Sequence, residues 1–216
     1  MRRRQWQIVM WVSPSRVALL SCAVLLFVVT RAPAQGHWAP PPIPGQGVEF
    51  PFRQTDTVVG VKSLQVGSAR IVLIYTPLDS VRRWLRTGPI SRAGEGHSFL
   101  QWLCLSGGNG PDRWVLWVEA SEMGAPGVDA FHLVSAPARA HVDRRCRRLP
   151  PTTTVQISKR LALGMSDSAA RSVLGPPSAV VADTLIYEHV GEEANRVVLV
   201  LERGRVVQIA VRIGPV

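Results

Sequence analysis

Leu161-Ala-Leu-Gly-Met-Ser-Asp-Ser-Ala-Ala-Arg-Ser-Val-Leu-Gly-Pro-Pro177 reads as the end of a strand, a capped helix and a hard stop. Ser166 is a cap residue, and Asp167 in the first turn meets the positive end of the helix dipole. Met165, Ala169 and Val173, with Ala170 and Leu174, recur at helical spacing and make one apolar face. Gly175 suits a left-handed cap, and Pro176 and Pro177 forbid continuation. Three strand-like runs follow: Thr184–Val190, Arg196–Glu202 and Arg205–Ile213. Arg203-Gly204 joins the last two as a tight hairpin.

Working outward, a backward shift of 88 positions lays this unit on an earlier one. Leu161 falls on Leu73, Asp167 on Asp79, Ser168 on Ser80, Arg171 on Arg83 and Val173 on Leu85. Thr76-Pro77-Leu78-Asp79 is itself a helix start, with Thr76 as cap and Pro77 at the first position. Three strand-like runs follow here too: Phe99–Leu105, Trp114–Ala120 and Val128–Val134. The expected fold is α+β, with two related units of a short helix packed on a small antiparallel sheet.

The order L-x-L-G-M-S (161–166), L-G-P-P (174–177), Tyr187 and G-R-V-V (204–207) resembles the SmpA/OmlA (BamE-like) domain of bacterial envelope proteins. It is also similar to the repeat of β-lactamase-inhibitory proteins, which occurs in tandem. The likeness covers Val155–Ile213. It implies a helix on a small sheet, no catalytic residues and a protein-binding role.

Four segments are expected: a signal peptide at 1–34, a Pro/Gly-rich linker at 35–54, a first unit at 55–150 and a second at 151–216. Arg2, Arg3, Arg4 and Arg16 make a positive leader, and Val17–Val29 is an apolar run short for a membrane span. Ala32-Pro33-Ala34 is a cleavage signal, giving an exported chain, periplasmic or secreted. An uncleaved anchor is the alternative, and Cys22 is the candidate for lipidation. Removing five arginines and no acid lowers the formal charge from +10 to +5. Dispersed charge on an exported chain argues against nucleic acid as partner.

Cleavage leaves Cys104 and Cys146, a pair in an oxidising compartment, and a disulfide is expected between them. The rival is a zinc site with His132 or His141, but no Cys-x-x-Cys or His-x-x-x-His spacing supports it. No metal, cofactor or small-molecule substrate is expected. His37, His97, His132, His141 and His189 sit beside no nucleophile elbow, and no phosphate loop or dinucleotide fingerprint is present. An enzyme is the third reading, behind a protein-binding envelope module and an inhibitor of a secreted hydrolase.

Candidate partner-binding residues follow from this. Trp102, Trp114 and Trp117 suit binding hot spots, with core packing as the ordinary alternative. The odd separation of Trp114 and Trp117 puts them on opposite faces of a strand. In the last strand, Val207, Ile209, Val211 and Ile213 form the expected core face, and Val206, Gln208, Ala210 and Arg212 the face left for a partner. Asp112 and Glu122 are the loop acids an inhibitor would insert into an enzyme cleft. Arg144-Arg-Cys-Arg-Arg148 is the densest charge cluster of the mature chain. It is either a solvated connector or a contact for anionic lipid head groups or an acidic protein patch.

Overall fold

The computed structural model describes residues 40–41, 60–95, 98–121, 127–136, 142–190 and 194–214. The expected signal peptide, and the linker apart from Pro40 and Pro41, lie outside these residues. The described chain runs β1 (Ser63–Val66), β2 (Ala69–Val72), α1 (Leu78–Trp84), β3 (Ser91–Glu95), β4 (Ser98–Gly107), β5 (Trp114–Ser121) and β6 (Ala130–Ser135). It continues through β7 (Arg147–Arg148), β8 (Val155–Ile157), α2 (Asp167–Leu174), β9 (Ala179–Val181), β10 (Thr184–Val190), β11 (Ala194–Glu202) and β12 (Arg205–Gly214).

This overturns the expected pair of small sheets. The chain builds one nine-stranded sheet in the order β3-β4-β5-β6-β12-β11-β10-β9, with β7 added beside β4. All neighbours are antiparallel except β7 on β4. The seam is β6–β12, with Val134 to Ala130 paired against Gln208 to Arg212. Two small sheets would each leave an unpaired apolar strand at this place, and pairing them satisfies both ladders at once.

α1 and α2 are short, and their apolar sides (Leu78 and Val81; Ala170 and Leu174) are buried in one core. That core also takes alternate residues of the large sheet, among them Leu105, Leu116, Phe131, Val211, Leu199 and Tyr187. A second sheet, β2-β1-β8, adds Leu64, Ile71 and Ile157 to it. One face of the large sheet is therefore covered by two helices and three short strands, a layered arrangement that buries both apolar surfaces.

Local details follow the residues. Ser166 caps α2 by accepting from Ala169 N at 3.2 Å, and Gly175 ends it at φ 86°. α1 starts one residue later than expected. Pro77 holds the cap position, and Thr76 Oγ1 instead accepts from Val72 N at 2.9 Å. The hairpin residues Arg203 and Gly204 both have positive φ, 51° and 72°, as a two-residue turn between twisted strands requires. A bulge between β11 and β12 pairs Leu201 with Val206 and Val200 with Gln208, leaving Val207 as the extra residue. It turns Val206 into the core in place of the expected Val207.

Candidate functional site

On the sheet face away from the helices, strand register aligns Glu119 (β5), Ala130 (β6), Arg212 (β12), Arg196 (β11) and Glu188 (β10) in one row. The row crosses the seam. Arg212 Nη2 donates to Glu119 Oε2 at 3.1 Å, and Arg196 is paired with Glu188. The two arginines lie opposite each other on neighbouring strands, and each is balanced by an outer glutamate.

The row below it is apolar except at one place: Trp117, His132, Ala210, Val198 and Ile186. His132 Nε2 lies 3.2 Å from Glu119 Oε1, with both side chains 1% exposed. This contact misses hydrogen-bond geometry, so it is a close electrostatic approach. Burial raises Glu119 to about 7 against the pull of Arg212, and nearby Asp129 pushes the same way. Burial, followed by the charge of Arg212, lowers His132 to about 4. Asp129 is also buried and accepts from Ser121 N at 3.1 Å.

This cluster was readable in part. Glu119 is a lone acid inside the apolar run Trp114–Ala120, and Arg212 a lone cation inside Ala210–Ile213. A lone charge in a buried strand calls for an opposite charge. Which two strands meet could not be read from it.

The structure places the sequence candidates as follows. Trp114 lies in the main core, and Trp102 and Trp117 pack on the opposite face with Val115, Ala136 and Cys146. All three are buried and present no exposed aromatic surface. The open sheet face expected on β12 is also corrected: Ala210 is buried, Gln208 half-buried, and Arg212 is engaged by Glu119. Asp112 is exposed in a 3-10 turn at Gly110–Asp112. Glu122 and His141 lie outside the described residues. Cys104 and Cys146 form a disulfide with a Cα–Cα distance of 4.5 Å, so neither is a thiolate ligand. Among the described residues, no three His, Cys, Asp or Glu side chains are grouped to hold a metal ion.

Two concavities stand out. One of about 550 Å³ lies beside the disulfide, lined by the loop Ser106–Gly110, Arg113 and, from the connector, Val142–Arg144, Cys146 and Arg148. A smaller one of about 280 Å³ lies between Pro111–Trp114 and Ala162–Gly164. Neither is lined by Glu119 or His132.

The two ends of the large sheet differ. At one end β3 carries Arg92, stacked on the Phe99 ring at 3.8 Å, and Gly94 at φ 97°. At the other, β9 is Ala179-Val180-Val181, with no charge and with Val180 54% and Val181 51% exposed.

No family model, curated protein or solved structure matches this chain. Nothing in these comparisons identifies a SmpA/OmlA or β-lactamase-inhibitory-protein domain.

Proposed function

We propose that this chain is an exported, non-catalytic protein-binding module of the cell envelope, which takes an extended segment of a protein partner onto the edge of its large sheet at β9. The observation that carries the reading is the difference between the two edges. Sheet edges offer unpaired N–H and C=O groups, and proteins guard them with charge and irregular backbone. β3 has both guards, in Arg92 and Gly94. β9 has neither: its guard is its length of three residues, and it adds two half-exposed valines, apolar contacts for an incoming strand.

Two further observations support the setting. A disulfide persists in oxidising compartments, which agrees with the leader-like residues 1–34. The acid–base pair Glu119–His132 is buried beside the Arg212–Glu119 contact that joins β5 to β12, where it organises the seam.

The test is a guarded edge. Val180→Lys with Val181→Lys places two charges on β9. The chain and this variant are each cross-linked in the producing cells and purified under denaturing conditions. The reading expects a discrete protein adduct with the natural edge and its loss in the variant, at unchanged thermal midpoint. An adduct that survives both lysines, or no adduct with either chain, overturns it.

A further inference from the structure

We infer that the cleft beside the disulfide is a binding site for a phosphate group. This inference is independent of the β9 edge. Three arginines line the cleft, Arg113, Arg144 and Arg148, of which Arg113 is already engaged by a partner of its own. The one acid among its described lining residues, Asp143, is held by Arg145 through Nε at 3.0 Å and Nη2 at 2.9 Å. Among the described residues, neither Arg144 nor Arg148 enters an ion pair, and both are exposed. Arg144 and Arg148 thus bring positive charge with no ion-pair partner among the described residues to a concavity of small-molecule size.

The backbone that carries these arginines is held in place. Cys146, between them, is bonded to Cys104 of β4. Arg148 is set against Ser106 in the parallel β7–β4 pairing, and Leu149 N donates to Ser106 O at 2.8 Å. Cys146 N closes a turn onto Asp143 O at 3.0 Å. The run Arg144–Arg148 is therefore clamped through its backbone at its middle and its end. Fixing the backbone that carries the cations before the anion arrives removes part of the ordering cost of binding.

The facing wall is the loop Ser106-Gly107-Gly108-Asn109-Gly110. Gly108 and Gly110 have φ of 71° and 53°, and a Cβ on Gly108 would run into the Asp112 carbonyl. The glycines let the backbone of this part of the lining turn tightly. Guanidiniums bind phosphate through paired, charge-assisted hydrogen bonds, and Arg144 and Arg148, which enter no ion pair among the described residues, suit the charge of a phosphate monoester.

The group has two sources, a soluble phosphate compound or an exposed lipid phosphate. The full oxidised chain is titrated with inorganic phosphate, observing arginine Nε–H signals by NMR. Saturable one-to-one shifts are expected, with affinity falling about tenfold in Arg148→Gln and in Arg144→Gln, and less in Arg148→Lys. Mild reduction of the disulfide should weaken binding while the sheet's circular dichroism persists. Flotation with phosphatidic acid vesicles, against phosphatidylcholine vesicles, separates the sources. Vesicle binding displaced by inorganic phosphate assigns a lipid head group. Phosphate binding without vesicle binding assigns a soluble ligand. Three outcomes overturn the inference: no saturation by phosphate, shifts indifferent to both glutamine variants, or binding of an acidic peptide where phosphate fails.

Discussion

Arg212 reaches Glu119 over the top of Ala130. The two charged residues sit on β12 and β5, 93 positions apart in sequence, and β6 lies between them. Two strand spacings separate their backbones, about 10 Å. Only a small side chain at the middle position lets the guanidinium pass, and Ala130 is paired with both Glu119 and Arg212. The contact thus ties the first half of the sheet to the second across the seam.

Removing the cation should expose the cost of the buried acid. Arg212→Met is expected to destabilise by about 2 kcal/mol at pH 8, below the range for a fully enclosed pair because Arg212 is 34% exposed. The loss should shrink at pH 5, where Glu119 holds a proton. Ala130→Leu should give a similar loss by blocking the contact. Urea unfolding at the two pH values measures both.

The pair Glu119–His132 predicts an unusual pH response. Glu119 lies at about 7 when folded, above its ordinary 4.5, so its contribution falls as pH rises between these values. His132 lies at about 4 when folded, below its ordinary 6.5, so its contribution rises with pH across that interval. Between pH 4.5 and 6.5 the folded and unfolded chains each hold one proton on the two side chains, and the effects cancel. The natural chain should show no net slope from this pair. Glu119→Gln should gain stability with rising pH, and His132→Asn should lose it, each by on the order of 2 kcal/mol. Equal slopes in all three chains would remove the pair from the account.

The disulfide closes 42 positions. Replacing both cysteines by serine should cost about 4 kcal/mol on the chain-entropy model. Thermal unfolding of the double variant, and of the natural chain with and without reductant, checks this value.

Tyr187 is fully buried, and its hydroxyl has no hydrogen-bond partner among the described residues. Burial raises its pKa to about 12. Tyr187→Phe removes an unpaired donor from the core, so the variant should be as stable as the natural chain or more so by about 1 kcal/mol. A loss above that, read by chemical denaturation, would mean that the phenol serves the fold.

Much of the local structure was legible. Ser166, Asp167 and the stop at Gly175–Pro177 bound α2 because caps and breakers act within a few residues. The alternation of Trp114 and Trp117 placed them on opposite faces, as found. The long-range joining was not legible. Nothing local in Val128–Val134 or Arg205–Ile213 says that these strands pair with each other, and that pairing turns two expected sheets into one. The bulge at Val207 was hidden for a related reason, since a one-residue irregularity reverses which side chains face the core. The face of β12 thought open to a partner fails because burial depends on distant neighbours. The arginine run Arg144–Arg148 was visible, but its clamp against β4 was visible only through Cys146.

The central claim is that β9 is the edge that receives a protein partner. The most direct measurement is photo-cross-linking in the producing cells, with a photoreactive amino acid at position 180 and, as control, at position 92 on the guarded edge. The account predicts one discrete adduct with a different protein from position 180 and none from position 92. No adduct at 180, equal adducts at both positions, or an adduct of twice the chain's own mass would contradict it.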